Sequence, residues 1–197
     1  MKEVQDHYFR KAKKDHYVAR SAYKLEEINQ KHHLFKKGDK VLDLGCAPGS
    51  WLQYLSKVLG QNGLAVGIDR YEIKIALPDN VRFIQADIND LEGRSPGEFS
   101  EQYDAVISDM APKTTGVRLV DTERSFQLCQ MAMWFAETWL KPEGSLLVKS
   151  FQGSPHQRLL TQFREQYQIV KTVKPKSSRQ ESVELFLLGQ KKRSTRD

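Results

Sequence analysis

The sequence has few cysteines and no long apolar run, and each of these absences excludes a class of protein. Cys46 and Cys129 are the two cysteines, and they are far apart with no ligand-like spacing to any of the five histidines. We therefore expect neither a disulfide framework nor a zinc site, and no metal ion in the functional site. No stretch approaches the roughly 20 apolar residues that a membrane helix requires, so we expect no membrane partner.

The N-terminal residues also lack the pattern of a targeting segment. Glu3, Asp6 and Asp15 lie among the lysines there without an apolar core segment, so neither a secretory signal nor an acid-poor transit peptide is expected. The cytoplasm is the expected compartment. The 197 residues suit one domain with a substantial core, which we expect to be a monomer. Within it we expect a basic helical segment over 1–38 and a disordered tail over 190–197.

Positive charge is abundant and lies mainly at the two ends of the chain. Residues 1–40 hold 11 Lys and Arg against 6 Asp and Glu, residues 171–197 hold 8 against 3, and residues 41–170 hold 12 against 16. The ends are therefore basic and the middle is acidic. Basic blocks favour a polyanion such as nucleic acid as the partner, because phosphate neutralisation releases counterions. Solvated lysine-rich tails would have the same composition, so charge alone leaves both interpretations open.

Strand and helix patterns alternate along most of the chain. Residues 8–31 have the apolar spacing of one or two helices. The predicted strands cover 40–44, 64–69, 81–86, 103–109, 144–151, 168–174 and 182–189, and the helices between them cover 49–59, 122–140 and 155–166. This alternation predicts an α/β fold with a mostly parallel, seven-stranded sheet covered on both faces. The last two strands are expected to form an antiparallel hairpin appended to that sheet.

The stretch VLDLGCAPGSW joins the first predicted strand to a helix through a glycine-bracketed turn. Gly45 and Gly49 allow the backbone to approach a ligand closely, and Pro48 suits the start of a helix. In open α/β sheets, ligands bind beyond the carboxyl ends of the strands, where this turn lies. The turn lacks the third glycine of the dinucleotide fingerprint and the Lys-Ser/Thr pair of a phosphate-binding loop, which disfavours a dinucleotide, ATP or GTP.

Carboxylates follow the next two strands as well. Asp69 ends the second predicted strand, where a carboxylate can accept hydrogen bonds from both hydroxyls of a ribose. Asp87 follows the third strand, and from there it could accept a hydrogen bond from the exocyclic amine of an adenine. These acids outline an adenosine-shaped pocket without a phosphate cradle, which fits S-adenosylmethionine. Any single acid could instead cap a turn, whereas the ordered set favours the cofactor.

The motifs DLGCAPGSW, GID, QADI and SDMAP resemble those of the FtsJ/RrmJ-type S-adenosylmethionine-dependent ribose 2′-O-methyltransferases, and the resemblance extends over residues 6–189. It implies a Rossmann-like class I methyltransferase fold and S-adenosylmethionine as the cofactor. The residues that it implies for cofactor binding are Gly45, Ala47, Pro48, Gly49, Ser50, Trp51, Asp69, Asp87, Ile88 and Asp109.

The residues after the fourth and fifth predicted strands bear on the methyl acceptor. SDMAPKTTG has no aromatic residue after Pro112, which disfavours a base amine, and neither cysteine is well placed for cytosine C5 chemistry. A ribose hydroxyl is a very weak acid and needs a general base, which a lysine can supply when desolvation or nearby cations lower its pKa. Lys149 ends the otherwise apolar fifth strand, where it could be that base or extend into solvent.

The resemblance supplies a Lys-Asp-Lys-Glu tetrad around this lysine. Its members would be Lys24 in RSAYKLEEI, Asp109 in SDMAP, Lys149 in LLVKSF and Glu184 in SSRQESVELF. From its own context, Glu184 could also be a surface acid of the hairpin. The tetrad implies direct, in-line methyl transfer to the 2′-oxygen, with Lys149 accepting the proton and Asp109 holding that lysine. Lys24 and Glu184 would orient the hydroxyl.

Because Lys24 and Glu184 lie in the two basic ends, both ends are expected to converge on the site. One basic face would combine Arg10, Lys11, Lys13, Lys14 and Arg20 with Tyr8, Phe9 and Tyr17, and a second would hold Lys174, Lys176 and Arg179. The three aromatic residues could stack on bases or pack in the core. The resemblance implies a uridine ribose in large-subunit ribosomal RNA, free or in the assembled subunit. Transfer RNA, an mRNA cap, or a non-catalytic module that binds RNA or an adenosine ligand would be the alternatives.

Overall fold

The computed structural model describes residues 2–91, 102–178 and 182–194, with side chains from His7 onward. Within these ranges the chain forms seven strands, which are β1 Lys40–Leu44, β2 Leu64–Asp69, β3 Val81–Gln85, β4 Tyr103–Ser108, β5 Leu140–Phe151, β6 Tyr167–Val173 and β7 Glu184–Lys192. The described helices are α1 Lys2–Lys14, α2 Ala22–His32, α3 Ser50–Leu59, α4 Arg118–Trp139 and α5 Ser154–Gln166, with a short 3₁₀ helix at Ile88–Leu91. None of the helices in these ranges has the length and hydrophobicity needed to cross a membrane.

The strands form one sheet in the order β3-β2-β1-β4-β5-β7-β6. Pairing is parallel from β3 to β5, whereas β7 runs antiparallel to both β5 and β6. In the centre, Leu42 of β1 lies between Val66 of β2 and Val106 of β4. Strands that are buried on both faces are continuously apolar, and for this reason the sequence patterns predicted these strands. The α/β fold with a mostly parallel sheet is thereby confirmed.

The C-terminal hairpin is confirmed as an antiparallel pair, but it is not simply appended to the sheet. β7, the last strand in sequence, inserts between β5 and β6 and pairs with both. The predicted disordered tail at 190–197 also begins too early, because β7 continues to Lys192, which pairs with Tyr167. Lys192 Nζ donates to the carbonyl oxygens of Ala136, Glu137 and Leu140 around the end of α4, which holds this part of the strand. Residues 195–197 lie outside the described residues.

Two apolar clusters fill the space on either side of the sheet. One joins α4 and α5 to the strands, and its Phe135 and Trp139 rings stack with centroids 4.9 Å apart. The other joins α2 and α3 to the strands through side chains such as Leu25 and Leu52, neither of which is exposed. Fully burying an aliphatic side chain of this size contributes about 1.5–3 kcal/mol, so these clusters fix the helices against the sheet.

The helix boundaries differ from the sequence predictions at three places. The segment predicted as one or two helices contains two, separated by residues 15–21. α4 begins at Arg118, four residues before the predicted start. α3 begins at Ser50, one residue after the predicted start, because Gly49 adopts a left-handed φ of 103° and serves as the N-cap. Pro48 precedes this cap, with a cis peptide bond to Ala47.

The topology explains why distant segments meet at one edge of the sheet. The carboxyl ends of β1 to β5 all lie at that edge, because these strands are parallel to one another. β7 runs the other way, so its first residue reaches the same edge. Glu184 accordingly pairs with Phe151, the last residue of β5.

Candidate active site

The four residues of the predicted tetrad come together at this edge. Lys149 Nζ lies 2.9 Å from Asp109 Oδ1 and also donates a hydrogen bond to the backbone carbonyl of Asp109. Lys24 Nζ lies 3.2 Å from Glu184 Oε2 and 3.9 Å from Asp109 Oδ1. These side chains, called the catalytic cluster below, form a chain of alternating cations and carboxylates in which Asp109 contacts both lysines.

Lys149 is held from both sides of its strand. β7 pairs with this part of β5, with Lys149 opposite Phe186. On the other side, β4 ends opposite Val148, so the backbone of β5 beyond that point needs other hydrogen-bond partners. α4 supplies them, since Cys129 Sγ donates to the Lys149 carbonyl at 3.1 Å and Ser125 Oγ accepts from the Phe151 amide at 3.0 Å.

Lys24 is positioned by contacts between the start of α2 and the start of α3. Trp51 Nε1 donates to the Ser21 carbonyl at 2.9 Å, and the Ser21 and Ser50 hydroxyls share a hydrogen bond of 2.7 Å. The Trp51 ring also packs against Phe186 of β7. Ser50 and Trp51 therefore connect the glycine-bracketed turn to the helix that carries Lys24.

Burial strengthens the electrostatic coupling within the catalytic cluster. The side chains of Lys149 and Lys24 are 6% and 12% exposed. Burial by itself would raise the pKa of Glu184, but the charges of Lys24 and then Lys149, with a hydrogen bond from Lys24, hold this pKa below its usual range. Glu184 is therefore ionised at neutral pH and balances the positive charge of the two lysines.

A cavity of about 550 Å³, called the first cavity below, opens beside the catalytic cluster at the carboxyl ends of β1 to β4. The predicted cofactor residues that line it are Gly45, Ala47, Asp69, Asp87, Ile88 and Asp109. Its volume falls within the range of pockets that take a small-molecule cofactor. Sequence reasoning missed other lining residues. Met110 and Lys113 lie in the SDMAPKTTG stretch but were not assigned to the cofactor, and no pattern in the sequence set Tyr71, Arg124 and Met131 apart.

Asp69 and Asp87 also hold the backbone at their own strand ends. Asp69 accepts from the Ala47 amide through Oδ2 and from the Tyr71 amide through Oδ1, both at 2.9 Å. Asp87 Oδ1 accepts from the Asn89 amide at 3.0 Å. That hydrogen bond is the main reason why the pKa of Asp87 is lowered, despite some opposing desolvation. Asp87 Oδ1 also accepts from Asn89 Nδ2, so Asp87 Oδ2 and the two Asp69 oxygens are the atoms that keep a lone pair for a hydrogen bond to a ligand.

Four of the predicted cofactor residues do not line the first cavity. Pro48 is exposed, and the α-carbon of Gly49 faces Ile75, whose Cδ1 would lie 2.7 Å from an added Cβ. The Ser50 and Trp51 side chains are buried and engaged with Ser21, as described above. These four residues build the turn and hold α2. The arrangement therefore does not indicate a direct side-chain contact from Ser50 or Trp51 to the cofactor.

Asp43 is a buried acid of the site that is absent from the predicted cofactor residues. Both of its carboxylate oxygens are buried without a hydrogen-bond partner among the described residues. Burial, followed by the charges of Asp109 and Asp69, raises its pKa well above the usual range. Its signal in the sequence was a single acid within the apolar strand VLDL.

These observations fit a cationic adenosine ligand in the first cavity. The charges of Asp109 and Asp69 oppose the ionisation of Asp43, and a sulfonium or ammonium group nearby would offset that effect. Gly45 has a φ of 75°, and a Cβ at this position would overlap the Met110 side chain, so the turn requires glycine there. Asp69 and Asp87 offer acceptors for ribose hydroxyls and an adenine amine. The residues present therefore suit S-adenosylmethionine.

A second cavity of about 430 Å³ borders the catalytic cluster at Glu184. The loop between β4 and α4 borders both cavities, with Met110 and Lys113 lining the first, and Thr114 and Gly116 lining the second. Asp121 holds this loop by accepting from the Thr115 amide and hydroxyl and from the Gly116 amide at 2.7–3.1 Å.

The predicted basic and aromatic faces are partly used for packing. Tyr8 and Tyr17 are half-buried, with the Tyr8 hydroxyl bonded to Glu27 and the Tyr17 ring against Tyr23. Phe9 is 55% exposed and is the aromatic residue of this set that remains accessible. Of the second face, Lys174 donates to the Ser182 carbonyl, and Arg179 lies outside the described residues.

Comparisons with known proteins agree with these features. A family model for FtsJ-like methyltransferases matches residues 17–192. The chain is 42% identical to ribosomal RNA large subunit methyltransferase E of Syntrophobacter fumaroxidans, covering 98% of each chain. It is 44% identical to the protein of the same name from Bdellovibrio bacteriovorus, covering 96% of this chain and 97% of the relative.

Solved structures share the fold. The crystal structure of a ribosomal RNA methyltransferase from Plasmodium falciparum is 30% identical, with a TM-score of 0.78, and covers 89% of this chain and 98% of that one. Fibrillarin of Aeropyrum pernix, solved with bound S-adenosylmethionine, has a TM-score of 0.59 at 17% identity and covers 86% of this chain and 76% of that one. The predicted Rossmann-like class I methyltransferase fold is confirmed by this likeness.

Proposed function

This chain belongs to the FtsJ-like methyltransferase family, and on that premise we propose that it methylates the 2′-oxygen of a uridine ribose in large-subunit ribosomal RNA. S-adenosylmethionine is the methyl donor of this enzyme class, as the motifs of the sequence predict. The names of the relatives favour ribosomal RNA over transfer RNA or an mRNA cap as the acceptor.

The catalytic cluster is the observation that carries this proposal. A ribose hydroxyl must lose its proton as its oxygen attacks, and in this proposal Lys149 Nζ, in its neutral form, accepts that proton. Asp109, 2.9 Å from that nitrogen, fixes its position beside the first cavity. Lys24 and Glu184, 3.2 Å apart, would orient the hydroxyl from the other side.

Methyl transfer here depends mainly on positioning. S-adenosylmethionine supplies an electrophilic methyl group when it is bound in the first cavity. Asp69 and Asp87 would hold the adenosine, while Lys149 and Asp109 would orient the acceptor oxygen for attack on the methyl group. Because each of the four charged groups lies within 4 Å of a neighbour, the proton that leaves the hydroxyl enters a cluster of interacting groups rather than one isolated lysine.

The arrangement disfavours a non-catalytic binding module. Burying two lysines and two acids together is costly, and binding an adenosine ligand in the first cavity does not require Lys24 or Glu184. All four groups come from one chain, which supports a monomer as the active form. We expect the enzyme to act in the cytoplasm on the RNA or on the large subunit.

The test is to map the methyl group. The protein is incubated with labelled S-adenosylmethionine and either large-subunit RNA or intact large subunits, with transfer RNA and capped RNA as competing acceptors. We expect label on one 2′-oxygen of the large-subunit RNA, and none when that nucleotide is replaced by its 2′-deoxy form. Label on a base atom, or label retained by the deoxy substrate, would refute the proposal.

A further inference from the structure

The second cavity is adjacent to the catalytic cluster but separate from the first cavity. Glu184 lines the second cavity, Asp109 lines the first, and the ion pairs of Lys24 connect these two acids. If the cofactor fills the first cavity, an acceptor oxygen must approach the catalytic cluster from another direction. The side on which Glu184 is accessible provides that approach.

We propose that the second cavity binds the acceptor nucleotide, with Arg118 contacting its phosphate and the Gln152 amide contacting the edge of its base. This inference rests on the proposed function and specifies the RNA-binding part of the same site. The cavity volume of about 430 Å³ falls within the range of pockets that hold small ligands.

Gln152 has a fixed backbone and an available side chain. It directly follows β5, and its amide donates to the Val183 carbonyl at 2.8 Å. Its side chain is exposed and makes no hydrogen bond to any residue in the described ranges. An amide side chain offers one acceptor and two donors, which match the adjacent N3–H and carbonyl oxygen on the edge of a uracil.

Among the described residues, Arg118 is the cation that lines the same cavity. It is the first residue of α4 and is exposed, and no carboxylate of the described residues lies within ion-pair distance of it. Of the two acids that line the cavity, Asp121 already accepts three hydrogen bonds from Thr115 and Gly116, and Glu184 is paired with Lys24. The guanidinium is therefore available for a phosphate, whose geometry it matches in a bidentate manner.

The remaining wall offers apolar contacts for a ribose or a base. Phe151 is buried and lines the cavity, and Val183 beside it is 41% exposed. Val117, next to Arg118 in sequence, is 56% exposed. Apolar side chains left accessible around a cavity that also contains a cation and an amide are typical of a ligand site.

The experiment compares Arg118→Ala and Gln152→Ala with wild type, using large ribosomal subunits as the acceptor. Both side chains are exposed, so folding should be retained, and the Kd for S-adenosylmethionine should be unchanged. We expect the KM for subunits to rise about tenfold for each variant. For Arg118→Ala, the slope of log KM against log salt should fall by about one, because one phosphate contact is lost. Arg158→Ala, which removes an exposed cation outside both cavities, should match wild type.

The inference is overturned if both variants keep the wild-type KM and salt slope while the wild-type protein methylates a ribose. That outcome would leave the proposed function intact. Failure of the proposed function gives a different result, because the wild-type protein itself would then place no methyl group on a 2′-oxygen.

Discussion

The first cavity is lined by residues between Gly45 and Met131, whereas the catalytic cluster requires Lys24 and Glu184, which are 160 positions apart. In the first cavity, Asp69 and Asp87 are held by backbone amides at neighbouring strand ends. In the catalytic cluster, charged side chains hold one another. Cofactor binding therefore depends on local turns, and catalysis depends on the long-range packing that brings both ends of the chain to the sheet.

This difference predicts separate defects. A change in a strand-end acid should weaken cofactor binding and leave the maximal rate nearly intact. A change in the catalytic cluster should reduce the rate and leave cofactor binding nearly intact. Asp109 is the exception because it belongs to both regions.

Replacing Asp109 with Ala should have the largest effect, since it removes a wall of the first cavity and the partner of Lys149. We expect kcat to fall at least about 100-fold, the low end of what a positioned acid–base group contributes, and the Kd for the cofactor to rise as well. Steady-state kinetics and calorimetry measure the two quantities. Asp104→Ala, which removes an acid of β4 that is paired with Lys141, is the matched control. If Asp109→Ala changed only one of the two quantities, Asp109 would not link the regions.

Replacing Asp69 with Ala should affect cofactor binding selectively. The carboxylate accepts two backbone hydrogen bonds that fix the turn beside the first cavity. Hydrogen bonds to charged groups contribute about 1.5–3 kcal/mol each, so the Kd for S-adenosylmethionine should rise at least about tenfold. At saturating cofactor, kcat should stay within about twofold. A large fall in kcat with unchanged Kd would contradict the separation of the two regions.

Glu27→Gln should loosen the packing that joins the two basic ends. Glu27 accepts from the Lys176 amide at 2.6 Å, from the Ser177 amide at 3.1 Å and from the Tyr8 hydroxyl at 3.2 Å. We expect the free energy of unfolding to fall by about 1 kcal/mol and the KM for the RNA acceptor to rise a few-fold. Denaturant unfolding and kinetics measure these changes. The neighbouring variant Glu26→Gln affects one long bond to Gln30 and should change neither quantity.

The smallest expected effect is the pH dependence that Glu184 confers on stability. Its folded-state pKa is lowered, so its contribution is present above its unfolded pKa of about 4.3 and is lost as the pH falls through the folded pKa. The difference in unfolding free energy between wild type and Glu184→Gln should therefore shrink below about pH 4.3, and 1 M salt should reduce it at neutral pH. A difference that grew with falling pH would contradict the ion pairs.

The fold was predictable from local patterns, and the first cavity was predictable in part. Apolar strands such as VLDL and the glycines of the turn carry their structural roles within a few residues. The resemblance to the FtsJ family, the enzyme class and the cofactor are confirmed. The insertion of β7 between two strands was not predictable, because strand order depends on long-range pairing.

The catalytic cluster is a different case. No local pattern distinguishes Glu184 from a surface acid, and its contact with Lys24 depends on the antiparallel direction of β7. The family resemblance identified the four residues, and their proximity in the structure is what makes their proposed roles testable. Ser50 and Trp51 were predicted as cofactor contacts because they follow the glycine-bracketed turn, whereas both contact Ser21 just before α2, and Trp51 also packs against Phe186 of β7.

Lys149→Ala provides the most direct test of the central claim, because it removes the proposed proton acceptor and no lining residue of the first cavity. Single-turnover methylation of large subunits and cofactor affinity should be measured on the same preparation, with Lys141→Ala as the surface-lysine control. We predict a rate at least about 100-fold below wild type, with a Kd for S-adenosylmethionine within about twofold. A rate equal to wild type, or a loss of rate fully explained by lost cofactor binding, would contradict the assignment of Lys149 as the catalytic base.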